Sequence, residues 1–141
     1  MRAGACPCGA VRYSIEGRVR DVVVCHCDAC VKATGGPWAA SAAYRRDLVI
    51  EGEAAIAWER AHISEYEASR GRCSTCETVV FWDAPGRETV SFAAGTLADG
   101  PAPEVAAFIW VPPEQREGLR GTGLPVEAAG LPDSISVRWR D

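Results

Sequence analysis

The sequence predicts an all-β protein with little helix, built as one domain over residues 1–141. Three observations carry that expectation. A chain of 141 residues has the length of one domain, with enough material for a real core. Its 14 glycines and 9 prolines cut it into many short segments. Those segments alternate apolar and polar residues or form brief apolar runs, and no long amphipathic helix with clear caps stands out. Hydrophobic residues at 48% and charged residues at 24% are globular values, which excludes a disordered chain.

The first expected strand is Val11 to Ile15, which alternates apolar and polar residues. Val22 to Val24 is an apolar run leading straight into Cys25 and reads as a buried strand. Asp28 to Lys32 suits one helical turn with Asp28 as its N-cap. Thr34-Gly35-Gly36-Pro37 ends that turn. Trp38 to Tyr44, Leu48 to Glu51, Ala54 to Trp58 and Ile63 to Glu67 follow as strands. Thr78 to Trp82 and Val90 to Ala93 come next, joined through the turn signal Asp83-Ala84-Pro85-Gly86. Ala98 to Pro103 reads as loop. Val105 to Val111 is an expected strand that Pro112-Pro113 stops. Glu114 to Leu124 fits no single pattern. Ile135 to Trp139 alternates and suits an edge strand or a docked tail.

Several function classes are excluded early. No run of about 18 apolar residues exists, so no membrane-spanning helix is expected. The first residues, Met1 to Cys6, lack the apolar stretch of a signal peptide, so the expected compartment is cytoplasmic. A net charge of -4 argues against nucleic acid as a partner. Lys32 is the only lysine, a bias of GC-rich coding sequence that carries no chemistry.

The 7 cysteines are the informative excess. An odd number cannot pair completely into disulfides within one chain, and all seven stand in tight clusters, which favours metal or catalytic roles. Cys6-Pro7-Cys8-Gly9 and Cys73-Ser74-Thr75-Cys76 each let two sulfurs converge from a tight turn. Together they offer four thiolates, the ligand set of a closed structural zinc site. Such a site staples the N-terminal segment to a distant hairpin.

Cys25-His26-Cys27-Asp28-Ala29-Cys30 is different. Cys25 and Cys27 face one side if the backbone is extended, and a helical turn brings Cys30 to the same point. Three sulfurs converge and a fourth is missing. Three protein ligands plus an open position mark a catalytic zinc. The alternative is a site closed by His26, Asp28 or a cysteine of another cluster. His26 is expected to point away from the sulfurs. His62 carries no assigned role. The five tryptophans read as core or edge packing, with Trp38 also placed to line a pocket near the three cysteines. Arg45-Arg46 and Arg138 with Arg140 read as solvated charges.

The motifs resemble those of the glutathione-dependent formaldehyde-activating enzyme family, which includes centromere protein V. The matching residues are Gly4-x-Cys6-x-Cys8-Gly9-x-Val11-x-Tyr13, Cys25-His26-Cys27-Asp28-Ala29-Cys30-x-Lys32-x-Thr34-Gly35, Ser69 to Cys76, and Ala94 to Asp99. The likeness runs from about Gly4 to Trp110. It implies a β-tent fold stapled by a structural zinc, with two zinc ions per chain. Position by position, Cys6, Cys8, Cys73 and Cys76 would hold the structural zinc, and Cys25, Cys27 and Cys30 the catalytic one. The activity implied is a carbon–sulfur lyase reaction, adding a small thiol such as glutathione to formaldehyde or another small electrophile, or the reverse. Three positions depart from the family: Glu77 replaces a glycine, Arg72 an aromatic residue, and Phe108 a histidine. They keep every ligand and bear on the pocket walls. Glutathione is anionic, so an arginine at the site is required, and Arg70 is the candidate. The competing reading is a non-catalytic zinc-binding module for a protein partner. Neither the general base nor the oligomeric state is encoded in any motif.

Overall fold

The computed structural model describes residues 1–61 and 67–141. His62 and the expected strand from Ile63, apart from Glu67, lie outside the described residues.

The chain is mostly β, as expected. Twelve strands are described: β1 (Arg2–Ala5), β2 (Arg12–Ile15), β3 (Val19–Arg20), β4 (Val22–Cys25), β5 (Trp38–Tyr44), β6 (Leu48–Glu51), β7 (Ile56–Arg60), β8 (Ser69–Cys73), β9 (Val79–Asp83), β10 (Thr89–Ala93), β11 (Val105–Ile109) and β12 (Trp139–Arg140). Two short helices accompany them, α1 (Asp28–Thr34) and α2 (Pro113–Arg120). Strands β1, β2 and β6 form a small antiparallel sheet. The large sheet runs β11-β4-β5-β10-β9-β8-β7, with β3 also paired to β5 and β12 paired to β3. Its pairings are antiparallel except β11 with β4, which is parallel.

Several expectations change. The segment Glu53–Ala55 is a 3-10 turn, so the strand expected from Ala54 starts at Ile56. The ambiguous stretch after Pro112 is helix α2, begun by Pro113 at its first turn, where a missing N–H costs nothing. The alternating C-terminal segment pairs only through Trp139 and Arg140. Arg140 is no solvated charge: it donates to both carboxylate oxygens of the buried Asp21 and to Glu104. Arg45 likewise grips the Asp83 carboxylate with two nitrogens. Trp58 and Trp110 are half exposed, and Trp110 takes a left-handed backbone with φ 53, so neither is core.

The register assigns the two faces of the large sheet. Ser41, Phe92, Phe81, Gly71 and Trp58 are cross-strand partners and share one face. That face builds the core with Tyr13 and Ile15 of the small sheet. The Tyr13 ring meets Phe81 and Phe92 at 5.6 and 5.2 Å. The same register puts Cys25, Trp38, Ala40, Ala93, Ser91, Trp82 and Arg70 on the opposite face. One extra residue between β3 and β4 makes a bulge against β5, since Val19 faces Ala43 and Val23 faces Ala40. Arg20 Nη2 donates to the Ala40 carbonyl at 3.1 Å, and Ser41 Oγ donates to the Arg20 carbonyl at 2.6 Å. These bonds replace ladder contacts that the bulge removes.

Candidate metal centres

The first cluster is built from two knuckles. After β1, the Gly9 N–H closes a turn onto the Cys6 carbonyl at 2.9 Å, and the Val11 N–H donates to Cys6 Sγ at 3.4 Å. After β8, the Glu77 N–H closes the second turn onto the Cys73 carbonyl at 2.8 Å. Glu77 completes that turn in the left-handed region, φ 64, which is where glycine is otherwise favoured. Cys6 and Cys73 are buried. Cys8 Sγ lies 3.5 Å from Cys6 Sγ and 3.6 Å from Cys73 Sγ. The Thr78 hydroxyl, 3.3 Å from Cys76 Sγ, leads the interactions that pull the Cys76 pKa down to about 6. The Cys76 backbone N–H leads those that lower Cys73.

The sulfurs of Cys6, Cys8, Cys73 and Cys76 all lie within 4.8 Å of one another. Four ligands at about 2.3 Å around a tetrahedral zinc stand about 3.8 Å apart. The donor set and its spacing therefore fit a metal.

The second cluster sits where β4 runs into α1. Cys25 ends the strand, and Cys27 lies in extended backbone at the N-cap of α1. The expected cap was Asp28. Instead, Cys27 Sγ accepts the Cys30 N–H at 3.3 Å, so a thiol sulfur takes the place of a capping oxygen. Gly35, with φ 85, closes the helix after Thr34. Cys30 Sγ donates to Cys25 Sγ at 3.5 Å. The sulfurs of Cys25, Cys27 and Cys30 converge within 4.8 Å, and no fourth Cys, His, Asp or Glu joins them among the described residues. Hydrogen bonding within the trio, led by Cys25, pulls the Cys27 pKa below the ordinary thiol value, and the Arg70 charge adds to the effect. Cys25 is pushed the opposite way, chiefly because its proton serves Cys27.

His26 is turned away from the sulfurs. Its Nδ1 lies 3.2 Å from Gln115 Oε1 on α2, and its ring meets Phe108 edge-on at 6.0 Å. Arg70 is not free to greet a substrate carboxylate. It is buried, and its Nη2 lies 3.7 Å from Cys30 Sγ. The sequence named Arg70 only as the arginine for an anionic substrate and gave no signal of its contact with Cys30. Gln115 had no signal at all.

A cavity of about 350 Å³ borders Cys76 of the four-cysteine cluster, and none of Cys25, Cys27 and Cys30 lines it. Its walls include Trp38, Ala33 and Thr34 of α1, and Arg72, Cys76 and Glu77. Trp38 lines this cavity and is the strand partner of Cys25, but the cavity itself is walled by none of the three cysteines near which Trp38 was expected to line a pocket. Two of the three family departures, Arg72 and Glu77, are wall residues here, and the third, Phe108, touches His26.

The crystal structure of a Rhodobacter sphaeroides protein, a Northeast Structural Genomics target, has a similar fold. It superimposes with a TM-score of 0.56 at 20% identity, covering 89% of this chain and 98% of that one. No curated protein matches the sequence. The family model for the glutathione-dependent formaldehyde-activating enzyme matches residues 1–112, which hold all seven cysteines. With the motifs and both sulfur clusters inside that match, the chain belongs to the glutathione-dependent formaldehyde-activating enzyme family.

Proposed function

We propose that this protein is a zinc-dependent enzyme that adds a small thiol to formaldehyde or a similar small aldehyde, and catalyses the reverse cleavage. The observation that carries the reading is the convergence of Cys25, Cys27 and Cys30 with no fourth protein ligand among the described residues. Cys6, Cys8, Cys73 and Cys76 would hold a second zinc that braces the fold. Soft thiolates select zinc over magnesium or calcium.

A zinc at the three cysteines would supply Lewis acidity at an open position, keeping a bound thiol ionised at neutral pH. The chain's own part is to hold that position open. The β4-to-α1 junction fixes the three sulfurs on one side, and the Gln115 contact keeps the His26 ring from closing the fourth. In the addition, the thiol sulfur forms a bond to the aldehyde carbon. The C=O π pair moves to oxygen, which takes up the thiol's proton. The product is a hydroxymethyl thioether, and no oxidant or reductant is required.

The test mixes formaldehyde with glutathione and a panel of other thiols, and follows adduct exchange by NMR with and without protein. The addition proceeds unaided, so the protein-free rate is the baseline. Acceleration that disappears in Cys25→Ala supports the enzyme. Stoichiometric metal at both clusters with no acceleration for any thiol would leave a zinc-binding module for a protein partner.

A further inference from the structure

We infer that Arg70 is a positioning residue of the three-cysteine centre, its guanidinium holding Cys30 Sγ at the convergence point and offsetting the negative charge of the sulfur set. The inference rests on the reading that this cluster binds metal.

Arg70 stands on β8, and Cys25 on β4. Three strands separate them, namely β5, β10 and β9. The register nevertheless sets Arg70, Trp82, Ser91, Ala93, Ala40, Trp38 and Cys25 on a single face. Helix α1 is held against that face from two points on β8. Arg70 Nη2 reaches Cys30 Sγ at 3.7 Å, and Arg72 Nη2 donates to the Ala33 carbonyl at 2.8 Å.

Arg70 is 7% exposed and Cys30 is 6% exposed. A guanidinium removed from water needs an anionic partner. No carboxylate of a described residue forms an ion pair with Arg70. The partner on hand is the sulfur cluster. Three thiolates around a dication carry one net negative charge, and a substrate thiolate in the open position makes it two. One fixed cation cuts that charge. The hydrogen bond also draws electron density from Cys30 Sγ, which leaves a bound metal more electron-poor. Arginine suits the task because its planar fork stays charged and can donate at the end of a long stem. Outer contacts of this kind tune metal ligands by about 10- to 100-fold in affinity.

The experiment titrates metal-loaded wild type, Arg70→Gln and Arg70→Lys with a competing chelator, after thermal melting confirms that each is folded. A parallel set is loaded with cobalt(II), and its thiolate-to-metal absorption is recorded. In Arg70→Gln the weaker metal class should loosen by about 10- to 100-fold while the tighter class holds. Its cobalt band should move to lower energy, because an unbonded thiolate gives up its electron more readily. Arg70→Lys keeps the charge and should recover much of the affinity. A merely structural arginine would leave the band of a folded variant in place. Wild-type affinity and band energy in folded Arg70→Gln would overturn the inference, and so would equal loosening of both classes. A wild type with no second metal class would instead defeat the reading of the three cysteines as a metal site, and this inference with it.

Discussion

The two sulfur clusters are made from the same atom type and are anchored in opposite ways. The four-cysteine cluster joins residues far apart in sequence, with Cys6 and Cys8 on the segment after β1 and Cys73 and Cys76 on the turn after β8. The three-cysteine cluster lies within six consecutive residues, Cys25 to Cys30, and its sulfurs are set by local backbone. A metal in the first cross-links the fold. A metal in the second closes nothing but a strand-to-helix junction. On the proposed reading, bracing and chemistry would be separated by sequence distance.

The largest expected effect follows from that difference. Cys73 is fully buried and belongs to the long-range cluster. A structural zinc bound by thiolates contributes on the order of 10 kcal/mol to folding. Cys73→Ser should therefore lose cooperative melting, or express as an unfolded chain. A variant that melts like wild type would place the bracing metal elsewhere.

Cys27→Ala tests the other side. It removes both a sulfur of the three-cysteine cluster and the N-cap acceptor of α1. Loss of a cap costs about 1 kcal/mol, far less than loss of a structural metal. The variant should stay folded, carry about half the wild-type zinc by elemental analysis, and show no thiol-dependent acceleration. Unfolding on the scale of Cys73→Ser would erase the distinction between the two clusters.

What the sequence disclosed follows the same line between local and distant. The cysteine groupings were legible because spacings of two and three residues determine convergence whatever surrounds them. Trp38 to Tyr44 and Leu48 to Glu51 were legible as short, mainly apolar runs, although Ser41 is buried in the first and Val49 exposed in the second. Strands β1, β3 and β8 were not. Arg2-Ala3-Gly4-Ala5 and Ser69-Arg70-Gly71-Arg72-Cys73 hold no β-branched residue, and partners on neighbouring strands make them strands. Gly4 shows the dependence directly: a side chain there would run into the Tyr13 ring and the Thr96 carbonyl. The Asp28 cap failed because propensity ranks oxygen acceptors and has no entry for a sulfur held low in pKa by its neighbours. Arg70 at Cys30 was invisible because the two meet only through the sheet order and the packing of α1, across 40 residues of sequence.

Acid gives a smaller effect that separates the clusters from the rest of the fold. The Arg140 guanidinium, hydrogen-bonded to Asp21, holds that carboxyl below the ordinary aspartate range. A carboxyl with a depressed folded pKa contributes stability that is present above its unfolded value, about 3.9, and lost as pH falls through the folded one. Arg140→Ala should be less stable than wild type at neutral pH, and the gap should narrow below about pH 4. Thiolate protonation and metal release fall on both proteins alike, so they cancel in the difference. A gap that stays constant from pH 7 to pH 3 would show that the clasp is packing and not charge.

The smallest expected effect lies at the knuckle itself. Glu77 follows Cys76 with φ 64, and a left-handed backbone costs a non-glycine residue about 1–2 kcal/mol. Glycine removes that strain but gives back about 0.5–1 kcal/mol of chain entropy. Glu77→Gly should therefore stabilise the metal-loaded protein by about 0–1.5 kcal/mol. The backbone carbonyl of residue 77 remains in place, so the 2.7 Å bond from Arg72 Nη1 survives the change. What alters is the wall of the 350 Å³ cavity, where a carboxylate would no longer face incoming anions. If that cavity admits the thiol, Glu77→Gly should lower KM for glutathione more than for a neutral thiol of similar size. Equal shifts for both thiols, together with the small gain in melting temperature, would confine Glu77 to the turn and remove the cavity from the substrate's path.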